Sequence, residues 1–382
     1  MKTERNHIDI WILVSVMLLM VLSLGIVYSA SASFAMQRWG ESERLLTLHI
    51  VKVLLAFVAI FIAMHIDYRI LERISKPTLV VAVLLLLITL VLGGEAKGAT
   101  RWLRFGGLGF QPSDFAKYAL IVHVCTLLAR KSRNDGMKNY KKGFLPVLFW
   151  IGLVAVLVLA QPNFSNGAMI FLIGIILLFV GRAKLAHLVL TFSPLIALLG
   201  LYMISAPYRM KRITGFFSDT GYQLMQGIIA FGNGGVFGVG MGESRQRDLF
   251  LPESYGDFVF SIVGEEYGLI GTLFFLALFL VIMLRGMKIA KNARDDFGRF
   301  LAVGITLSVT LYALINAGVT MGLLPTTGLP MPFVSYGGTS MIFSALGIGV
   351  LLNISSHTDL YPRLTKPEHV RSLDPKTSTT PG

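Results

Sequence analysis

Long apolar stretches separated by short polar segments recur along the whole sequence. A helix needs about 20 apolar residues to cross the hydrocarbon core of a bilayer. Ten stretches approach that length, although the sixth is short and the second and fourth each carry a lysine, Lys52 and Lys117. The pattern therefore predicts an all-α polytopic membrane protein with spans at about 9–30, 46–66, 77–94, 112–129, 144–160, 167–181, 185–205, 258–284, 300–323 and 340–355.

Two segments depart from this alternation of spans and short loops. A large loop covers about 206–257, between spans 7 and 8, and a loop of that length is usually functional or disordered. Within it, apolar residues recur at helical spacing over 222–231, which predicts a short interfacial or re-entrant helix. Residues 366–382 are rich in Pro, Ser, Thr and Lys, and we expect a disordered cytoplasmic tail after a single membrane domain, 1–365.

Lysine and arginine are distributed unevenly between the two sides of the predicted membrane domain. With the N-terminus inside, 22 of them fall on the inner side and 10 on the outer side, so both termini are expected in the cytoplasm. The net charge of +13 is spread over short loops, which argues against a nucleic-acid partner. Cys125 is the single cysteine, so neither an intramolecular disulfide nor a cysteine zinc site can form.

Asp257 is the leading candidate for chemistry. It lies where the large loop re-enters an apolar helix, and a carboxylate at the mouth of a membrane helix is costly to keep there without a function. The alternative is that Asp257 caps a helix beginning at Phe258. Glu265 and Glu266 follow about two turns later, as proton-relay groups or, with slight preference, as buried structural pairs.

Further candidates lie in the other segments expected on the outer side. Asp114 and Lys117 are three residues apart on one helical face, either as an ion pair or with Lys117 as an anion ligand. The glycines over 232–242 favour backbone bending and close packing, although their amides, with the arginines that follow, could face a pyrophosphate. Two prolines and three glycines over 328–340 predict a broken segment that lines a cavity.

In combination, several motifs resemble the SEDS family, the FtsW/RodA/SpoVE group of cell-wall polymerases, over nearly the whole chain. These motifs are Arg101-Trp102 with Gln111 through Lys117, Gln161-Pro162, Tyr222-Gln223, Leu251-Pro252-Glu253 with Asp257-Phe258, Gly264-Glu265-Glu266, and Pro332 through Gly338. The segments 240–246 and 324–330 look more like the division branch, FtsW, than the elongation branch, RodA. Two positions depart from the family pattern: Asn163 replaces an aspartate, and Asp114 replaces a glutamate.

The resemblance implies a peptidoglycan glycosyltransferase that polymerises lipid II. It also implies that Asp257 is the essential aspartate of the family. A carboxylate there would take the proton of the acceptor hydroxyl. No cofactor is certain, and a divalent cation, Mg²⁺ or Mn²⁺, is compatible with a diphosphate leaving group. Candidate substrate-binding residues are Arg101, Asp114, Lys117, Gln161, Arg209, Arg212, Arg245 and Ser335.

The same resemblance implies the surroundings of the enzyme. It implies the bacterial inner membrane at the division septum, with a class B penicillin-binding protein and other membrane proteins of the division complex as partners. Two other functions are compatible with the sequence. Broken helices and intramembrane charges also suit a lipid II transporter (a flippase), and a polytopic protein could be a non-enzymatic division scaffold. Within the family, a RodA-like elongation polymerase is the alternative.

Overall fold

The computed structural model describes residues 6–92, 94–96, 99–105, 108–132, 136–193, 221–248 and 250–360. Most of the chain it describes is helical. The predicted tail, 366–382, and the part of the large loop before residue 221 lie outside the described residues. The main helices are α1 (Ile10–Trp39), α2 (Arg44–His65), α3 (Arg69–Leu92), α4 (Pro112–Ser132), α5 (Leu145–Ala160), α6 (Phe164–Val180), α7 (Tyr222–Gly234), α8 (Val259–Lys291), α9 (Asp296–Thr320) and α10 (Thr339–Ser356).

Seven of the described helices are long and apolar enough to cross a membrane: α1, α2, α3, α8, α9, α10, and the continuous helix that α5 forms with the π-helical turn Tyr140–Phe144 before it. Helix α6 is apolar but shorter, and α4 is long enough but more polar. Of the predicted span 185–205, the structure describes only 185–193, which is helical. The prediction of an all-α polytopic membrane protein is confirmed, and the count of ten spans stays a prediction.

The beginning of α1 and the ends of α8 and α10 meet at one end of the bundle. Asp9 caps α1 by accepting hydrogen bonds from the backbone amides of Trp11 and Ile12. Its other carboxylate oxygen accepts a hydrogen bond from Arg285 Nη2, near the end of α8, at 2.7 Å. The Asn6 amide donates to the carbonyl of Ser356, the last residue of α10, at 2.7 Å. The first and last described residues therefore lie at the same end.

Three short strands lie at the opposite end, between α3 and α4. Strands β1 (Gly94–Ala96), β2 (Ala99–Phe105) and β3 (Leu108–Phe110) form an antiparallel sheet in that order. Leu103 pairs with Phe110, and Gln111 then leads directly into α4. Our sequence interpretation treated this segment as a loop. The sheet places the Trp102 ring beside Gly109 and Gly338.

Helix α7 packs along the first turns of α8, and the chain then reverses direction. Helix α7 and the returning segment, residues 235–248, together form a hairpin that lies against α8. The hairpin tip contacts α8 near Gly268, about 14 Å from the start of that helix at 1.5 Å per residue. The predicted helix over 222–231 is thus present within α7, and its interfacial or re-entrant placement stays a prediction. Helix α8 is broken at Gly268, where φ is 64° and ψ is −160°.

The hairpin satisfies the backbone groups that the break in α8 releases. The amides of Leu269 and Ile270 donate to the carbonyls of Gly235 and Val236, at 2.9 and 3.2 Å. In return, the amides of Val239 and Gly240 donate to the carbonyls of Glu265 and Glu266, at 3.0 and 3.1 Å. Irregular backbone at membrane depth requires such internal partners, because lipid supplies none.

This pairing bears on the two interpretations of the glycine-rich segment. The amides of residues 239 and 240 are committed to α8 and cannot serve a pyrophosphate. At Gly238, where φ is 85°, an added Cβ would lie 2.1 Å from the Glu266 carbonyl oxygen. The glycines therefore serve close packing and backbone bending at this position.

Candidate active site

A cavity of about 420 Å³ opens at the end of the bundle that holds the small sheet. Its wall comes from the beginnings of α4, α6 and α10, the later turns of α9, and the loops before α8 and α10. The broken segment predicted over 328–340 contributes residues to this wall, as expected. The polar and aromatic side chains that line it are Trp102, Gln111, Asp114, Lys117, Asn163, Asn166, Glu253, Asp257, Tyr312, Tyr336, Ser340 and Ser344.

Asp257 lies on this wall in the loop that precedes α8. The Asn316 side-chain amide donates to the Asp257 carbonyl at 2.6 Å and to the Leu329 carbonyl at 2.8 Å. One amide from α9 therefore ties together the two loops that border the cavity. The Asp257 carboxylate approaches Gly328 so closely that a Cβ there would lie 3.5 Å from Oδ2. Helix α8 begins at Val259 with Phe258 as its N-cap, so Asp257 precedes the cap position itself.

The loop that carries Asp257 is fixed by buried apolar packing. Leu251 and Phe258 pack with Ala30 of α1 and Ile262 of α8. Between them the Gly256 amide donates to the Glu253 carbonyl at 2.9 Å, which closes a tight turn. The turn leaves the side chain of Asp257 half-buried and facing the cavity.

Asp114 and Lys117 both line the cavity, and both are nearly buried, at 5% and 4% exposure. Asp114 Oδ2 accepts a hydrogen bond from Thr339 Oγ1 at 2.8 Å. Lys117 Nζ lies 4.1 Å from the centroid of the Tyr312 ring and 4.9 Å from that of Tyr118. Among the described residues no ion pair joins Asp114 to Lys117. Lys117 therefore faces the cavity, and its role as an anion ligand stays a prediction.

The other sequence-predicted site residues are distributed differently. Gln161 is buried, and its amide donates to the Leu86 carbonyl at 2.9 Å. Ser335 Oγ is also buried and accepts a hydrogen bond from the Met331 amide at 2.8 Å. Arg245 is exposed, and none of these three residues is among the described ones that line the cavity.

Three predicted cations cannot be placed against the cavity. Arg101 lies on β2 next to Trp102, which lines the cavity, but its side chain is outside the described part of the structure. Arg209 and Arg212 lie outside the described residues altogether. Their assignment to substrate binding stays a prediction.

The structure adds residues that sequence reasoning did not select. Glu253 places a further carboxylate on the cavity wall, with its backbone in the left-handed region at φ 59°. The Leu251-Pro252-Glu253 motif was the available signal for it. Burial of the nearby Tyr255 hydroxyl raises its pKa to about 12, and the charge of Glu253 adds to this effect, so the hydroxyl stays protonated. Asn163 and Asn166 also line the cavity, and Asn166 accepts a hydrogen bond from the Tyr312 hydroxyl at 3.0 Å.

Glu265 and Glu266 are buried in the hairpin junction and are not among the described residues that line the cavity. Glu265 accepts hydrogen bonds from Ser244 Oγ, from Asn233 Nδ2 at 3.0 Å and from the Gln246 amide at 3.2 Å. Glu266 accepts one from Ser29 Oγ of α1. These contacts favour the structural interpretation of the pair.

Comparison with known proteins supplies the relationship. The model of the FTSW_RODA_SPOVE family, described as "Cell cycle protein", matches residues 9–360. The chain is 37% identical over 361 residues to a probable peptidoglycan glycosyltransferase FtsW of Geobacter sulfurreducens, covering 92% of this chain and 96% of that protein. It is 36% identical over 368 residues to stage V sporulation protein E of Bacillus subtilis, covering 94% and 100%.

Solved structures show the same fold. The rod shape determining protein RodA of Thermus thermophilus superposes with a TM-score of 0.67 at 25% identity, covering 91% of this chain and 96% of that one. A chain from a peptidoglycan synthase complex, described as coordinating polymerization and crosslinking, superposes with a TM-score of 0.75 at 24% identity, covering 91% and 97%.

Proposed function

This chain belongs to the FtsW, RodA and SpoVE family and is a peptidoglycan glycosyltransferase, and we propose that its cavity joins lipid II molecules into glycan strands. The observation that carries the proposal is the meeting of Asp257 and Lys117 on one cavity wall although they are far apart in sequence. A glycosyl transfer from a lipid diphosphate needs a base for the acceptor hydroxyl and positive charge for the leaving group. These two side chains supply both.

The reaction is a substitution at an anomeric carbon. A sugar hydroxyl of one lipid II molecule attacks the anomeric carbon that joins a second glycan to its undecaprenyl diphosphate, forming the new glycosidic C–O bond. The bond to the diphosphate oxygen breaks, and undecaprenyl diphosphate leaves with the electron pair. Asp257 accepts the proton of the attacking hydroxyl. Lys117 stabilises the negative charge on the diphosphate, with Arg101, Arg209 and Arg212 as further candidates for that role.

The carboxylates of the cavity are compatible with a divalent cation that arrives with the substrate. Among the described residues no three His, Cys, Asp or Glu side chains cluster as metal ligands. Mg²⁺ in phosphoryl sites is usually held by one or two carboxylates together with substrate phosphates. Glu253 and Asp257 are the two carboxylates of the loop before α8 that line the cavity, and a cation there would neutralise diphosphate charge.

We place the cavity on the outer side of the bacterial inner membrane, with both termini in the cytoplasm. The distribution of Lys and Arg supports this orientation, and the first and last described residues share one end of the bundle. We assign the enzyme to the division septum with a class B penicillin-binding protein, whose single span would pack beside this chain and whose crosslinking activity would complete the wall. The likeness to FtsW relatives, at 37% identity for the protein of Geobacter sulfurreducens, supports division over elongation.

The test is turnover of lipid II by the purified protein in liposomes, with and without a class B penicillin-binding protein. Glycan polymer is the expected product, and its formation should fall when divalent cations are chelated. Transbilayer movement of lipid II without polymer would identify a transporter instead. Neither polymer nor movement, from folded protein with the partner present, would leave a scaffold.

A further inference from the structure

Lys52 is a cation inside an apolar helix, and the reaction described above does not use it. It lies eight residues after Arg44, the first residue of α2, which places it about 12 Å along that helix. Among the described residues its ammonium has no hydrogen bond or ion pair, and Nζ lies 3.3 Å from the centroid of the Tyr336 ring. An ionisable side chain inside a membrane span is costly and usually has a function.

The ring that holds Lys52 belongs to the cavity wall. Tyr336 lines the cavity, whereas Lys52 is not one of the described residues that do so. The ring therefore separates the ammonium from the substrate space. On the same helix as Lys52, His49 packs its ring 5.8 Å from the Tyr336 ring and hydrogen-bonds Ser23 at 2.9 Å. Tyr336 is thus held from behind by two residues of α2.

Tyr336 also holds the loop that carries Asp257. Its backbone amide donates to the Tyr255 carbonyl at 2.8 Å, and the two rings meet edge to face at 5.8 Å. Tyr255 is two residues from Glu253 and two from Asp257, and both of these carboxylates line the cavity. A continuous set of contacts therefore runs from Lys52 through Tyr336 and Tyr255 to the two carboxylates.

We propose that Lys52 is a positioning residue for this reaction: its contact with the Tyr336 ring fixes the loop 253–257 and thereby the carboxylate of Asp257. This inference rests on the proposed function of the cavity. A cation over an aromatic face is attracted most strongly where water is excluded. The contact therefore sets the Tyr336 ring at the cost of a charge within the span.

The proposal predicts a loss of activity without a loss of stability. Lys52→Met removes the charge and keeps the length of the side chain, so it should lower kcat about 10- to 30-fold, the range of a desolvated cation–π contact. KM for lipid II should stay within about twofold, because Lys52 does not face the substrate. The melting temperature should not fall, because an apolar side chain replaces a charge within the membrane.

Conservative and paired variants make the test specific. Lys52→Arg keeps a cation over the ring and should retain most activity, and Tyr336→Phe should do the same because the ring and backbone amide remain. Tyr336→Leu should lose activity, and adding Lys52→Met to it should cause little further loss, since both changes remove one contact. Arg44→Met is the matched control. Arg44 is an exposed cation on the same helix as Lys52 and lies 5.3 Å from the Trp39 ring, so its removal should leave kcat unchanged.

Amide hydrogen exchange reads the loop directly, without depending on turnover. In Lys52→Met the peptides covering 251–258 and 333–338 should exchange faster than in the wild type, and those of α9 should not. Full activity of Lys52→Met, or equal losses in Lys52→Arg and Lys52→Met, would overturn the positioning role while the polymerase assignment stands. An inactive wild type would instead remove the proposed function. Misfolding of Lys52→Met with misfolding of Lys52→Arg would also contradict the proposal, since it would make the lysine a folding residue.

Discussion

Helix α8 joins two polar clusters that use their charged groups in different ways. The cavity loop with Asp257 comes just before its first residue, and the hairpin junction with Glu265 and Glu266 lies about two turns along the helix. In the junction, Glu265 accepts three hydrogen bonds from named donors of the hairpin. In the cavity, the described contacts of the Lys117 ammonium are aromatic ring faces, and about 420 Å³ of space lies beside it.

The difference separates the structural use of buried charge in the junction from the catalytic use proposed for the cavity. A buried charged group is stable only with partners, and the three hydrogen bonds that Glu265 accepts rigidify the junction around it. A group that must bind or deprotonate substrate needs unfilled space beside it instead. We therefore expect substitutions in the cavity to lower activity in folded protein, and substitutions in the junction to lower stability with activity per folded molecule unchanged.

The largest expected effect is loss of turnover in Asp257→Asn. Asparagine keeps the size of the side chain but cannot accept the proton, and general-base catalysis is typically worth about 10²–10⁴-fold. We expect polymer formation to fall by that factor while the melting temperature stays within about 2 °C, because Asn matches the size of this half-buried side chain and leaves its packing unchanged. Lipid II polymerisation and thermal unfolding in detergent measure the two quantities.

Asp248→Asn is the control for that experiment. Asp248 lies in the same loop before α8, but its side chain is 56% exposed and accepts a hydrogen bond from Ser33 Oγ at 2.6 Å. It should retain wild-type turnover. Robust polymerisation by folded Asp257→Asn would contradict the role of Asp257 as the base and return the transporter to consideration.

The next effect is on folding and tests the junction. In Gly238→Ala the new Cβ would meet the Glu266 carbonyl oxygen at 2.1 Å and force the hairpin away from α8. Loss of the paired backbone hydrogen bonds would cost at least about 3 kcal/mol, since each unsatisfied buried group costs ~1–3 kcal/mol. Fluorescence-detected size exclusion after heating should show early unfolding. Gly232→Ala, one position in α7 where a Cβ meets nothing within 4 Å, should behave as wild type.

The two clusters also differ in how far the sequence predicts them. Apolar runs predict the spans and a helix over 222–231 because their periodicity is local. The break of α8 at Gly268 depends on hydrogen bonds with hairpin carbonyls and amides some 30 residues earlier, so no local pattern could indicate it. For the site, Asp257, Asp114 and Lys117 were selected as charges at the ends of spans, and the cavity brings them together.

Other parts of the site depend on pairing that the sequence does not encode locally. The Asn316 amide bridges two loops from a position inside α9, where an asparagine resembles any polar residue of a helix. The hydrogen-bond donor to Asp114 is Thr339, which is 225 residues away, and Lys117 on the same helix face acts on the carboxylate through its charge rather than through a hydrogen bond. Spacing alone left an ion pair and an anion ligand as alternatives, and tertiary packing gave Asp114 a hydrogen bond from the distant hydroxyl.

A smaller loss is expected for Lys117→Ala, which removes a cation without disturbing the base. Losing a charge-assisted contact to phosphate costs about 1.5–3 kcal/mol, or roughly 10- to 150-fold in kcat/KM. In the single variant Asp114 keeps its hydrogen bond from Thr339 and is not left without a partner. Adding Asp114→Ala to Lys117→Ala should therefore not restore activity. Steady-state polymerisation over a range of lipid II concentrations measures this, and recovery in the double variant would favour a plain ion pair over the ligand role.

The smallest expected effect is in Ser244→Ala, which removes one donor from the buried Glu265 carboxylate and leaves the cavity untouched. We expect a loss of about 1–2 kcal/mol in stability, since a buried acceptor loses one of several partners. Ser33→Ala removes the same kind of serine-to-carboxylate contact at an exposed site, to Asp248, and should cost less than about 0.5 kcal/mol. Thermal unfolding of both variants, with turnover normalised to folded protein, measures the difference. Equal melting temperatures would mean that burial does not strengthen the junction, and a fall in turnover per folded molecule would mean that the junction takes part in the reaction as well as in the fold.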